Sequence, residues 1–111
     1  MLQTKTAGKF PLGNVIWPDL PDHLANRETD MDHISLRDFI QWYCLDCHAS
    51  GDWGLVDSET VRTNEHALQH GGRLVSRHGL IAGDDNTFVE IITEADRSVT
   101  RMTISGDLSR L

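Results

Sequence analysis

Between Ser35 and Gly54 the chain reads S-L-R-D-F-I-Q-W-Y-C-L-D-C-H-A-S-G-D-W-G, and two patterns compete for it. Cys44-x-x-Cys47-His48 spells a c-type haem attachment site, in which both thiols bond the vinyl groups and the adjacent imidazole ligates iron. The same cysteines also continue an apolar stripe. Leu36, Phe39, Ile40, Tyr43, Cys44 and Cys47 recur at i, i+3, i+4, i+7, i+8 and i+11, the period of a helix with one covered face. Ser35 with Asp38 three positions on resembles a capping box that opens this helix, and Gly51-Asp52-Trp53-Gly54 closes it. The helical reading makes the cysteines small core residues needing no cofactor. Haem attachment also requires an export route, and Met102, the imaginable second axial ligand, falls in a strand-like segment. The sequence therefore predicts buried free thiols and no haem.

Working outward, a second helix is expected from about Ser58 to His70, capped by Asp57 or Ser58 and ended by Gly71-Gly72, with Val61, Ala67 and Leu68 facing inward. The period then changes to two. Arg73–His78, Thr87–Thr93 and Ser98–Ile104 are β-branched segments joined by the short turns A-G-D-D-N and E-A-D-R, which predicts an antiparallel meander. Upstream, Leu12–Trp17 suits a short strand, Pro18 and Pro21 break it and open a helical turn through Leu24, and Ala25–Asp32 reads as a loop. The expected fold is α+β, with two main helices packed on a three- to four-stranded antiparallel meander sheet. Residues 10–106 form its single domain, flanked by a flexible tail at 1–9 and a second tail at 107–111.

The chain of 111 residues carries ten basic and seventeen acidic residues, a formal charge of -7. That balance repels phosphate at long range and disfavours a nucleic-acid partner. Apolar runs are too short to span a bilayer, and the opening M-L-Q-T-K-T-A-G-K-F has no apolar core of a signal peptide. These features place the protein in a bacterial-type cytoplasm, with its thiols reduced and no membrane partner. Zinc is the remaining metal to weigh, since Cys44 and Cys47 make a half-site and His66 and His70 stand one helical turn apart. The gap between these halves is longer than in a zinc finger, and solvated histidines near a helix C-terminus explain His66 and His70 without metal. No metal and no cofactor are expected.

His48-Ala-Ser-Gly-Asp-Trp-Gly54, Asn64-Glu-His-Ala-Leu68, Gly72-Arg-Leu-Val-Ser76 and Ile91-Ile-Thr-Glu-Ala-Asp-Arg-Ser-Val-Thr100 together resemble a family of small uncharacterised plasmid, phage and integron-cassette proteins. Its pattern is R-H-x-x-G-D-W-G, N-x-x-A-L, G-x-R-x-L-S and I-T-E-A-D-R-S-x-T, and the likeness covers about residues 11–104. The resemblance assigns His48 to the glycine-tryptophan bend rather than to a haem motif. This chain departs from the pattern at Cys47, where arginine is usual, and at its end, where Ser105–Leu111 replaces a leucine-rich segment.

Two functions follow as expectations. In the first, the protein is a non-enzymatic binding or protein-interaction module whose contact surface gathers His48, Asp52, Trp53, Glu94, Asp96 and Arg97 at one end of the sheet. Its partner is then an unknown protein or small ligand, and a homodimer would cover sheet edges and any apolar face. In the second, His48, Glu94 and Arg97 serve a metal-free acid/base hydrolase or nuclease, the histidine and carboxylate exchanging a proton while arginine holds an anion. Each residue also has a structural reading. Trp53 can cover the core, Asp52 and Asp96 can cap their own turns, and Arg97 can pair with Glu94 or Asp52. Ser76 and Thr100 are further polar candidates, placed on an exposed strand face.

Overall fold

The computed structural model describes residues 8–29 and 34–107. Most of both expected tails, and the loop stretch 30–33, lie outside the described residues.

The first helical region begins where Ser35 accepts a hydrogen bond from the Asp38 amide at 3.1 Å. It runs as α2 (Leu36–Phe39), a π turn (Ile40–Cys44) and α3 (Leu45–Ala49). The π turn changes which residues face inward. A four-residue step overshoots one α turn and falls short of one π turn, so mixing the two keeps Leu36, Ile40, Cys44 and His48 on one line. All four are buried, whereas Tyr43, expected in the stripe, is 52% exposed, and Cys47 is only half-buried. A purely α-helical wheel misplaces both.

The second helix, α4 (Ser58–His70), is capped by Asp57, whose carboxylate accepts from the Thr60 amide at 2.8 Å. It follows a short α1 (Asp22–Ala25) upstream of the first helical region. Val61, expected inward on α4, is exposed, and buried Asn64 takes its place. The reason is the open edge of the sheet. Strands β1 (Asn14–Ile16), β2 (Leu74–Ile81), β3 (Asp84–Thr93) and β4 (Val99–Ser105) lie in the order β1-β4-β3-β2, which makes β2 an edge. Asn64 donates to the Val75 carbonyl at 2.7 Å and accepts from the Val75 amide at 3.1 Å, as a neighbouring strand would. Two residues further along, Trp53 accepts from the Arg77 amide at 3.1 Å and Leu55 donates to the Arg77 carbonyl at 2.7 Å. Gly54 sits between them at φ 71°, where a Cβ would fall 2.1 Å from the Arg77 carbonyl oxygen. Only glycine admits that approach.

The fold is thus α+β, but the sheet is mixed. β2, β3 and β4 form the expected antiparallel series, while β1 pairs with β4 in parallel, Val15 opposite Thr100. β1 reaches β4 from the far side of the helices, so no hairpin dictates an antiparallel direction, and a long crossover permits the parallel one.

One face of the sheet carries Leu74, Ser76, His78 and Leu80 of β2, Thr87, Val89, Ile91 and Thr93 of β3, and Thr100 and Met102 of β4, all buried. The helices cover it in two apolar clusters. Leu36, Phe39, Ile40 and Cys44 pack on Leu80, Val89, Ile91 and Met102, while Trp53 and Ala67 pack on Leu74. Polar residues occupy the rows these clusters share, since Thr93 and Thr100 lie in register with Leu74, and Ser76 with Ile91 and Met102. No helix among the described residues is long and apolar enough to cross a membrane.

Candidate functional site

His48 lies at the end of α3 with no exposed surface. Its Nδ1 is 2.6 Å from Ser76 Oγ and its Nε2 is 2.8 Å from Thr93 Oγ1. Thr93 Oγ1 is 2.7 Å from Thr100 Oγ1, which donates to the Leu12 carbonyl at 2.6 Å. At the other end, His78 Nε2 is 3.1 Å from Ser76 Oγ. Ser76 and Thr100, expected on an exposed face, are therefore interior links in a polar chain running from β2 through α3 to β1.

The direction of every proton in this chain follows from its last link. A carbonyl only accepts, so the one hydroxyl proton of Thr100 goes to Leu12 and Thr100 must accept from Thr93. Thr93 then accepts from His48 Nε2–H, the neutral imidazole accepts at Nδ1 from Ser76, and Ser76 accepts from His78 Nε2–H. Both histidines are Nε2–H tautomers, and Nδ1 of His78 is left as an acceptor.

Burial holds both imidazoles neutral. It pushes the His48 pKa down to about 3, with a smaller contribution from the nearby His78. Burial also lowers His78, which Asp52 partly offsets. The ring of His48 meets Phe10 edge-on at 5.3 Å and Trp53 at 5.9 Å, so apolar rings wall in the rest of its surface.

The remaining expected site residues have equally definite employment. Trp53 is 4% exposed and donates its indole N–H to Glu65 at 2.9 Å. Asp52 is exposed and caps the bend through the Gly54 amide at 3.2 Å. In sequence, Arg97 pairs most simply with a carboxylate of Glu94 or Asp52. Instead its guanidinium donates to four backbone carbonyls, those of Gly72 at 2.6 Å, Ala67 at 3.0 Å, Ala95 at 3.1 Å and Glu94 at 3.2 Å. Ala67 lies in the last turn of α4, where its carbonyl also accepts from the Gly71 amide at 2.9 Å, and Gly72 lies just past the helix, so the guanidinium sits at the negative end of the helix dipole. Glu94 turns its carboxylate to Arg73 at 3.3 Å and Arg101 at 3.8 Å. Asp96 accepts from the Ser98 amide at 3.0 Å and the Ser98 hydroxyl at 2.6 Å, bonds that lower its carboxyl pKa.

His48, Trp53 and Arg97 do share a neighbourhood, because Phe10 contacts the rings of the first two and lies 5.7 Å from the guanidinium of the third. The three carboxylates do not converge on it: Asp52, Glu94 and Asp96 are each spent on their own turn or ion pair. The thiols are free, Cys44 within the core and pushed up to about 12 by burial and then by Cys47. Cys47 is also raised, by burial first and by the charge of Asp52. The His66 and His70 rings stand 4.5 Å apart on the exposed side of α4, and no group of three His, Cys, Asp or Glu among the described residues could hold a metal ion. Sequence reasoning missed His78 and the edge-pairing role of Asn64. His78 reads in sequence as one more residue of a strand, and Asn64 stands in N-x-x-A-L with no local signal of its pairing to the sheet edge.

Fold and site together define an α+β protein in which helices cover one face of a mixed four-stranded sheet and a buried polar chain ties strands to helix. No family model, no curated protein and no solved structure matches the chain.

Proposed function

We propose that the protein is a small non-enzymatic binding or interaction module, of the accessory kind carried by plasmids, phages and integron cassettes. The mobile-element origin rests on the motif resemblance, and a cytoplasmic location accords with free thiols on a chain of this composition. The observation that carries the binding reading is the state of His48. A general base must reach a substrate proton, and this ring has no exposed surface and both nitrogens engaged by protein hydroxyls. The arginine that would hold an anion is spent on carbonyls. An acid/base hydrolase or nuclease built on His48, Glu94 and Arg97 would lack an accessible imidazole and a free guanidinium, which supports the module. The charge of -7 weighs against a nucleic-acid partner. A protein partner, a second copy of the chain or a small ligand fits the surface better, since Trp17, Trp42 and Tyr43 are exposed and aromatic side chains dominate contact energies.

The test pairs activity with stability. Screens with ester, phosphodiester and RNA substrates are expected to show no turnover, and His48→Ala is expected to lower the melting temperature. Turnover that Glu94→Gln abolishes while melting is unchanged would overturn the module in favour of the enzyme.

A further inference from the structure

We propose that the cleft between the Phe39–Tyr43 ring pair, the Asp52–Leu55 bend and the β2–β3 hairpin binds a small organic ammonium, whose N–H donates to Nδ1 of His78 beside the Asp52 carboxylate. This deepens the binding reading above and rests on it.

The anchor is an unspent acceptor. His78 is only 5% exposed, its Nε2–H is committed to Ser76, and among the described residues nothing hydrogen-bonds its Nδ1. A buried acceptor without a partner is uncommon and asks for one. Nδ1 faces the bend, since a Cβ on Gly54 would stand 2.9 Å from it, and both residues line the cleft. The polar chain forbids the other tautomer, so the site calls for a donor and turns away a carboxylate or carbonyl ligand.

Charge and shape narrow the class further. The exposed Asp52 carboxylate lies near enough to raise the affinity of His78 for a proton, and it would attract any cation placed there. Arg77 also borders the cleft, but its guanidinium pairs with Glu90 at 2.9 Å and lies 5.3 Å from the Phe88 ring, across the sheet. The walls are apolar, formed by Leu55, Ile81 and the Phe39 and Tyr43 rings stacked at 5.2 Å. Aromatic faces favour cations as well as apolar bodies. A volume of about 280 Å³ suits a ligand the size of a single ring with a short aliphatic amine.

The full chain, labelled with ¹⁵N, is titrated with 2-phenylethylammonium and separately with 3-phenylpropionate, a carboxylate of similar shape. Saturable amide shifts at Asp52, Gly54, Leu55, Gly79 and Ala82 are expected with the ammonium alone, together with a shift of the His78 Nδ1 resonance as it gains a bond. Asp52→Asn, which keeps the cap on Gly54, weakens binding about three- to fivefold, while Asp96→Asn leaves it unchanged. Equal binding of the carboxylate, equal effects of the two variants, or shifts confined to a second hollow, lined by Trp17, Leu20, Arg37 and Ile40, each overturn the site. So does the absence of saturation by about 20 mM, beyond which no useful affinity remains. A silent titration removes the cleft and leaves the module standing, whereas turnover in the substrate screens removes the module itself.

Discussion

Acid should destabilise this protein through His48 in a way that one substitution isolates. In the unfolded chain the imidazole titrates at its ordinary 6.5, whereas in the folded protein burial holds it at about 3. Between those values the unfolded state binds a proton that the native state refuses, so stability is fully present above pH 6.5 and is lost as pH falls toward 3. Each pH unit below 6.5 removes about 1.4 kcal/mol, which reaches about 2 kcal/mol at pH 5. Relaxation around a charged ring trims this to about 1–2 kcal/mol. His78, lowered in the same direction, adds to the loss. The general charge works oppositely, because a chain at -7 repels itself less as carboxylates protonate. Comparison with His48→Gln cancels that background, since the amide offers a donor and an acceptor and does not titrate. Urea unfolding followed by tryptophan fluorescence at pH 7, 6 and 5 and fixed ionic strength gives both slopes. The variant should be about 1–3 kcal/mol less stable at pH 7, from imperfect bonds to Ser76 and Thr93, and should lose less on acidification. Identical slopes for the two proteins, or a His48 imidazole that titrates near 6.5 by NMR, would refute the buried, neutral assignment.

Three further perturbations probe the frame around this chain. Gly54→Ala should cost on the order of 2–4 kcal/mol by thermal unfolding, because a Cβ there meets the Arg77 carbonyl and φ is positive; the freed β2 edge should also raise the aggregate fraction in size-exclusion chromatography. Asn64→Leu fills the site but strands the Val75 amide and carbonyl, so a loss of about 2–4 kcal/mol and faster hydrogen exchange at Val75 are expected; unchanged protection would contradict edge pairing. Disulfide-exchange reagents should modify Cys47 slowly in the native protein and Cys44 only at the rate of unfolding, and early loss of both thiols would place Cys44 outside the core.

The sequence disclosed those parts of the fold that local chemistry determines. Ser35 and Asp57 cap their helices as read, and the period-two segments form β2, β3 and β4 with turns close to those expected. It concealed features decided by distant partners. Parallel pairing of β1 has no turn signature, because its partner lies beyond the helices and two other strands. The π turn leaves Leu36, Phe39, Ile40 and Cys44 where an ideal helix puts them, then exchanges Tyr43 and Cys47 for His48, and nothing in the residue types marks the change. Ser76 and Thr100 read as solvent-facing hydroxyls and Thr93 only as the end of a strand, since alternation alone cannot show the buried polar chain that His48 joins through Ser76 and Thr93. Arg97 reads in sequence as a charge, but its two terminal guanidinium nitrogens work on four backbone carbonyls, which a list of opposite charges does not anticipate.

The bond from Thr100 to Leu12 joins residues 88 positions apart, and that separation governs how the nascent chain matures. Of the four strands, β1 leaves the ribosome before the other three and its partner β4 after them. At roughly 5–20 residues per second, the earliest strand waits roughly 4–18 s for its neighbour to be made. Until Thr93 and Thr100 are made, the His48 Nε2 proton has no acceptor in this polar chain, and until β4 follows, the β3 edge that it pairs with stays open. The earliest strand therefore finds its partner only after all the other strands have been made, so the parallel pair and the Thr100–Leu12 bond close late in maturation.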